Sequence, residues 1–136
     1  MTQFRPVTPE FAVSPQIAVD DVVTAKGLGF TLLINNRPDG ESPDQPASAE
    51  IEAAAKSEGL SYAHIPVVGR PTVDQVAEMS RVLAASNGKG LAYCRSGARS
   101  IMTWALGELG AGAKARDELI RLTSAAGYDL SNLLPR

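Results

Sequence analysis

Apolar positions in this chain gather into short blocks, and the blocks alternate between two spacings. "FTLLIN" (30–35) is a compact apolar run, the pattern of a strand buried on both faces. "FAVSPQ" (11–16), "LSYAHIPVV" (60–68) and "GLAYC" (90–94) are also strand-like, with Pro66 near the end of the middle one. Between them the period changes. In "AVDDVVTAKG" (18–27), Val19, Val22 and Val23 recur at helical intervals and Gly27 supplies a stop. "ASAEIEAAAKSEG" (47–59) is rich in strong helix formers and closes on Gly59. Thr72 can cap a helix that runs to Asn87 and Gly88. Two more helical stretches, about 98–109 and 113–126, flank Gly110 and Gly112, and the chain closes on a short helical turn.

Strands alternating with helices predict an α/β fold: a parallel sheet of four to five strands, flanked by helices through right-handed crossovers. There are no repeats, low-complexity tracts or linkers, so residues 1–136 are expected to form a single domain. Strand order cannot be read from the pattern.

Composition narrows the function classes. The net charge is −2, which removes a global basic field for nucleic acid and makes any anion site local. No apolar run approaches the ~18 residues of a membrane span. The opening "MTQFRPVTPEFAVSPQ" lacks the apolar core of a signal peptide, and a cytoplasmic protein is expected. One cysteine and one histidine, Cys94 and His64, cannot build a cysteine- or histidine-rich metal site. Neither a metal nor a cofactor is expected.

The chemistry concentrates in "YCRSGARS" (93–100). If Cys94 ends a strand and a helix begins near Ala98, the amides of Arg95, Ser96, Gly97, Ala98 and Arg99 can converge around the sulfur as an anion nest. The helix N-terminus adds partial positive charge. Gly97 permits a backbone conformation that other residues resist, and Arg99 offers a planar fork to an oxyanion. The same field favours the thiolate, the nucleophilic form. The plain alternative is a cysteine that serves as a small buried hydrophobe.

"YCRSGARS" resembles the active loops of two cysteine-dependent families. Tyrosine and dual-specificity phosphatases carry C-x5-R followed by serine or threonine, whereas rhodanese sulfurtransferases have a shorter loop. The spacing from Cys94 to Arg99 is the shorter, C-x4-R. "VSPQI" (13–17), "LLINNRPDGE" (32–41), "AEIEAAAKSEGLSYAHIPV" (49–67) and "GLAYCRSGARSIMTWAL" (90–106) together resemble the phosphatase-like domain family of the beta-lactamase-hydrolase-like proteins. That resemblance implies a cysteine-phosphatase-like fold and a hydrolase of phosphomonoesters, including protein phosphotyrosine. It implies Cys94 as nucleophile, Arg99 as phosphoryl clamp and residues 95–98 as amide donors. Ser100 would assist departure of the thiolate.

Two features depart from typical phosphatases. Tyr93 stands where they carry a histidine, and Gly69 and Arg70 stand where dual-specificity phosphatases place the general-acid aspartate. Asp74 is one substitute acid, or else a carboxylate answering a helix dipole. Asp39 is its rival, or else part of an Asp-Gly turn. Arg37 beside it would widen the anion field or remain a solvated arginine. His64 reads as an ordinary strand residue, and Trp104 as core. Three functions stay open: phosphomonoester hydrolysis through a phosphocysteine, sulfur transfer through a Cys94 persulfide, and oxyanion binding without turnover. The expected partner is a phosphorylated protein or small molecule, with phosphate or sulfate able to occupy the loop and no role for nucleic acid or membrane.

Overall fold

A computed structural model describes residues 3–135. Five strands and five helices follow in order: β1 (Arg5–Thr8), β2 (Phe11–Ser14), α1 (Val19–Gly27), β3 (Phe30–Asn35), α2 (Ser48–Ser57), β4 (Ser61–His64), α3 (Val73–Ala85), β5 (Lys89–Tyr93), α4 (Ala98–Gly110) and α5 (Arg116–Ala125). The sheet order is β1-β2-β5-β3-β4.

The expected α/β class holds, but the sheet is mixed rather than parallel. β2, β5, β3 and β4 run parallel, and β1 pairs antiparallel with β2 through Arg5↔Val13, Pro6↔Ala12 and Thr8↔Phe11. β1 escapes a reading of apolar blocks because only Val7 in it is buried. Its Pro6 removes a ladder donor, a loss that an edge strand tolerates. β4 is also shorter than its apolar run suggests. Beyond His64 the chain leaves regular pairing, although Ile65 N–H still reaches Asn35 O at 2.8 Å and Val67 N–H reaches Asn36 O at 2.9 Å.

Side-chain alternation along β3 explains why its run is continuously apolar. Leu32 and Ile34 face a core completed by Met79 of α3, Ile101, Trp104 and Ala105 of α4, and Leu119 of α5. Leu33 faces the opposite core, with Val22 and Ala25 of α1 and Ile51 and Ala55 of α2. Trp104 stacks on Phe11 with ring centroids 5.1 Å apart, which places it in the core as expected. Thr72 caps α3 in a reciprocal box: its Oγ1 accepts the Gln75 N–H at 3.1 Å, and Gln75 Oε1 accepts the Thr72 N–H at 2.8 Å.

The connection from β5 passes to α4 on one face, whereas that from neighbouring β3 passes to α2 on the other. The two loops therefore diverge at the carboxyl ends of adjacent parallel strands, the position at which open α/β sheets bind ligands.

Candidate active site

Cys94 follows β5 at this edge of the sheet and is fully buried. Its sulfur accepts the Gly97 N–H at 3.1 Å. Gly97 has φ +93°, a left-handed conformation that costs a non-glycine residue energy, and it directly precedes α4. Two carbonyls of the loop are tied away from the sulfur. Arg95 O accepts the Gln16 N–H at 3.2 Å, and Ser96 O accepts the Tyr128 hydroxyl at 2.7 Å. Because C=O and N–H of a planar trans peptide point in opposite directions, the amides of Ser96 and Gly97 turn the other way. Among the described residues, the N–H groups of Ser96 and Arg99 reach no acceptor. The Ala98 N–H is engaged by Ser96 Oγ at 3.2 Å. The side chain of Arg95 is exposed.

Arg99 comes from the first turn of α4 and is held from two sides. Its Nη1 donates to Glu41 Oε2 and to Val67 O, both at 2.8 Å, and its Nη2 donates to Glu41 Oε1 at 2.8 Å. A guanidinium has five N–H donors, so the Nε–H and one Nη2 hydrogen are uncommitted among the described residues. The Glu41 hydrogen bonds raise the Arg99 pKa against the opposing effect of burial, and the nearby Cys94 sulfur adds to the rise. Glu41 is in turn pulled down to about 2, first by its hydrogen bond to Arg99 and further by Arg37, despite some desolvation. It is therefore a carboxylate at neutral pH.

Arg37 is not a solvated turn residue. It is 4% exposed, donates from Nε to Glu41 Oε1 at 2.9 Å and from Nη1 to Gln16 Oε1 at 3.0 Å. His64 does more than line a strand, since its Nε2 lies 2.9 Å from Arg37 O. Arg37 thus braces Glu41 from within the fold. Asp39 lies in the same loop, but its Oδ1 accepts the Ser48 N–H at 2.7 Å and thereby satisfies a free amide at the start of α2. Asp74 occupies the exposed first turn of α3, where a carboxylate answers the helix dipole. Arg70 turns away and donates to Leu133 O at 3.1 Å. Ser100 is buried, and its Oγ has no hydrogen-bond partner among the described residues. Tyr93 packs in the core beneath α1 and α2, and burial pushes its hydroxyl pKa well above the ordinary tyrosine range. It therefore offers none of the proton chemistry of a histidine at neutral pH.

Sequence reasoning missed Glu41 and Tyr128. Glu41 ends the very motif, "NNRPDGE", in which Arg37 and Asp39 stand out, and a carboxylate four residues from an arginine was the available signal. Tyr128 had no comparable signal.

With this geometry in place, comparison with known proteins identifies the family. Residues 3–111 match the model of the beta-lactamase hydrolase-like protein, phosphatase-like domain. The chain belongs to that family. A beta-lactamase hydrolase-like protein of Xylella fastidiosa is 36% identical over 125 residues, which are 91% of this chain and 29% of that protein. The chain thus spans less than a third of the curated relatives it matches. A candidate phosphatase from Neisseria meningitidis is 30% identical with a TM-score of 0.85, covering 97% of this chain and 94% of that one. P. aeruginosa TpbA in complex with pTyr shares the fold at 14% identity and a TM-score of 0.68, covering 96% of this chain and 78% of the other. The fold is that of cysteine phosphatases, and the domain is phosphatase-like.

Proposed function

We propose that this domain hydrolyses phosphomonoesters through a phosphocysteine at Cys94. The observation that carries the reading is the pairing of the Gly97 N–H on Cys94 Sγ with an Arg99 guanidinium already anchored by Glu41 and Val67 O. In the first step the Cys94 thiolate attacks phosphorus and the bond to the ester oxygen breaks, the leaving oxygen taking a proton. In the second, water attacks phosphorus, the S–P bond breaks and the thiolate is released with inorganic phosphate. The uncommitted Nε–Nη2 edge of Arg99 and the free amides of Ser96 and Arg99 would hold the equatorial oxygens as charge spreads over them, while the Gly97 amide stays on the sulfur and the Ala98 amide on Ser96 Oγ. Ser100, whose buried hydroxyl has no partner among the described residues, is suited to donate to the departing sulfur.

The proton for the leaving group is the weak point of the site. Glu41 is ionised, Asp39 is engaged at α2, and Asp74 is exposed on α3. Aryl esters need that proton least, because a phenol has a pKa near ~10, far below that of an alkyl alcohol. Phosphotyrosine-like substrates are therefore favoured over phosphoserine-like ones, in keeping with the pTyr bound to TpbA.

The same observation favours one second reading. Transfer of sulfane sulfur needs no general acid: the thiolate attacks thiosulfate, sulfite leaves, and the persulfide passes its outer sulfur to cyanide as thiocyanate. Parallel assays decide between them. Hydrolysis of an aryl phosphate that disappears in Cys94→Ser supports the phosphatase, and hydrolysis that survives the substitution removes Cys94 as its nucleophile. Thiocyanate formation with no phosphate release would transfer the site to the second reading.

A further inference from the structure

The segment after α5 reaches the cysteine loop, and one of its residues has a role that the reaction scheme above leaves out. We propose that Tyr128 is a positioning residue for the thiol: its hydroxyl holds the Ser96 carbonyl and so fixes the N–H of the same peptide unit on Cys94 Sγ. This rests on the reading of Cys94 as a nucleophile.

Three observations carry it. The Tyr128 hydroxyl donates to Ser96 O at 2.7 Å, and the Gly97 N–H donates to Cys94 Sγ at 3.1 Å. Ser96 C=O and Gly97 N–H are the two ends of one planar unit, so fixing one direction fixes the other. Polarising the carbonyl also strengthens the amide as a donor. Next, the approach is shaped for this contact. A Cβ on Gly97 would lie 2.2 Å from the Tyr128 hydroxyl oxygen and 3.0 Å from Cζ, so the phenol fits only because residue 97 lacks a side chain. Lastly, the ring is itself held. The Arg5 guanidinium carbon lies 5.2 Å from its centroid, within cation–π range, and the backbone N–H of Tyr128 donates to Thr123 O at 2.9 Å. The chain beyond is fastened by Arg70 to Leu133 O and by Arg116 to Ser131 O.

Tyr128→Phe removes the hydroxyl and leaves the ring beneath Arg5, so the fold is retained. Because Cys94 is the only thiol, iodoacetamide modifies one site and its pH profile is unambiguous. The plateau rate at high pH reports access to the sulfur, whereas the half-maximal pH reports stabilisation of the thiolate. The half-maximal pH is expected to rise by about half a unit in the variant, the effect of weakening one hydrogen bond to a charged sulfur. An unchanged half-maximal pH would overturn the proposal, whatever happens to the plateau. Aryl phosphate turnover by the unsubstituted protein is read separately. If it is absent while the alkylation shift is present, positioning stands and the phosphatase reading falls; an active enzyme with no shift gives the reverse.

Discussion

The two loops that meet at Cys94 are built from different materials. The loop after β5 offers backbone: the Gly97 amide is set on the sulfur, the carbonyl of the same peptide unit is held by Tyr128, and the Arg95 carbonyl is engaged by the Gln16 N–H. The loop after β3 offers side chains: Arg37 and Glu41 fastened to each other, with Glu41 also holding Arg99. The first arrangement depends on one left-handed glycine and a helix start, and most of it lies within seven consecutive residues. The second exists only because β3 and β5 are neighbours in the sheet, which brings Glu41 to an arginine 58 positions away. Local backbone chemistry sets the cup, and the adjacent loop aims the charge.

Arg99 is where the two loops join, so its removal should have the largest effect short of losing the proposed nucleophile, Cys94. Arg99→Ala is expected to lower kcat for an aryl phosphate by about 10²–10³-fold, the range seen when a preorganised donor is taken from a developing oxyanion. Binding of tungstate as a phosphate mimic should weaken alongside it. Tungstate affinity that stays at the level of the unsubstituted protein would mean that the amides alone hold the anion and that the aimed charge is irrelevant.

The same contrast accounts for what could be read from the sequence. The loop after β5 was legible because its signals are local: a thiol, a glycine and an arginine at fixed spacing between an apolar strand and a helix. The buried strands were legible too, since "FTLLIN" alternates between two apolar cores and leaves no polar face. β1 was not, because an edge strand with a proline and one buried side chain carries no apolar period. The contact from Glu41 to Arg99 was equally hidden, because strand order decides it and the pattern of blocks is silent on strand order. Tyr128 lies outside any motif, and only the packed fold shows which peptide its hydroxyl meets.

A smaller effect tests whether the side-chain loop aims Arg99 or obstructs it. Glu41→Gln keeps the size of the side chain but removes its charge, so the paired acceptance from Nη1 and Nη2 is lost. If Glu41 positions the guanidinium, kcat/KM should fall roughly tenfold, well short of the Arg99→Ala loss, as expected for misplacing a group rather than deleting it. A rise in kcat/KM would show instead that the carboxylate competes with the substrate for the arginine. Thermal stability should fall as well, because Arg37 is buried and would lose its charged partner.

The smallest expected effect concerns stability against pH, and it separates the two loops most cleanly because Glu41 belongs to only one of them. Its carboxyl is held at about 2, first by Arg99, whereas in the unfolded chain it titrates in the ordinary glutamate range. A depressed folded pKa means that the native state binds fewer protons than the unfolded chain, so the contribution to stability is complete above the ordinary range and declines as pH falls toward the folded value. The difference in Tm between the unsubstituted protein and Glu41→Gln should therefore be constant between pH 7 and about 5.5, then narrow progressively below about pH 4.5. Glu41 is partly exposed, so salt should shrink the whole difference without moving the pH at which it begins to close. A gap that closes near neutral pH would show that some other group governs the pair. One that stays constant to the acid limit of the fold would mean that the carboxylate gains nothing from its two arginines.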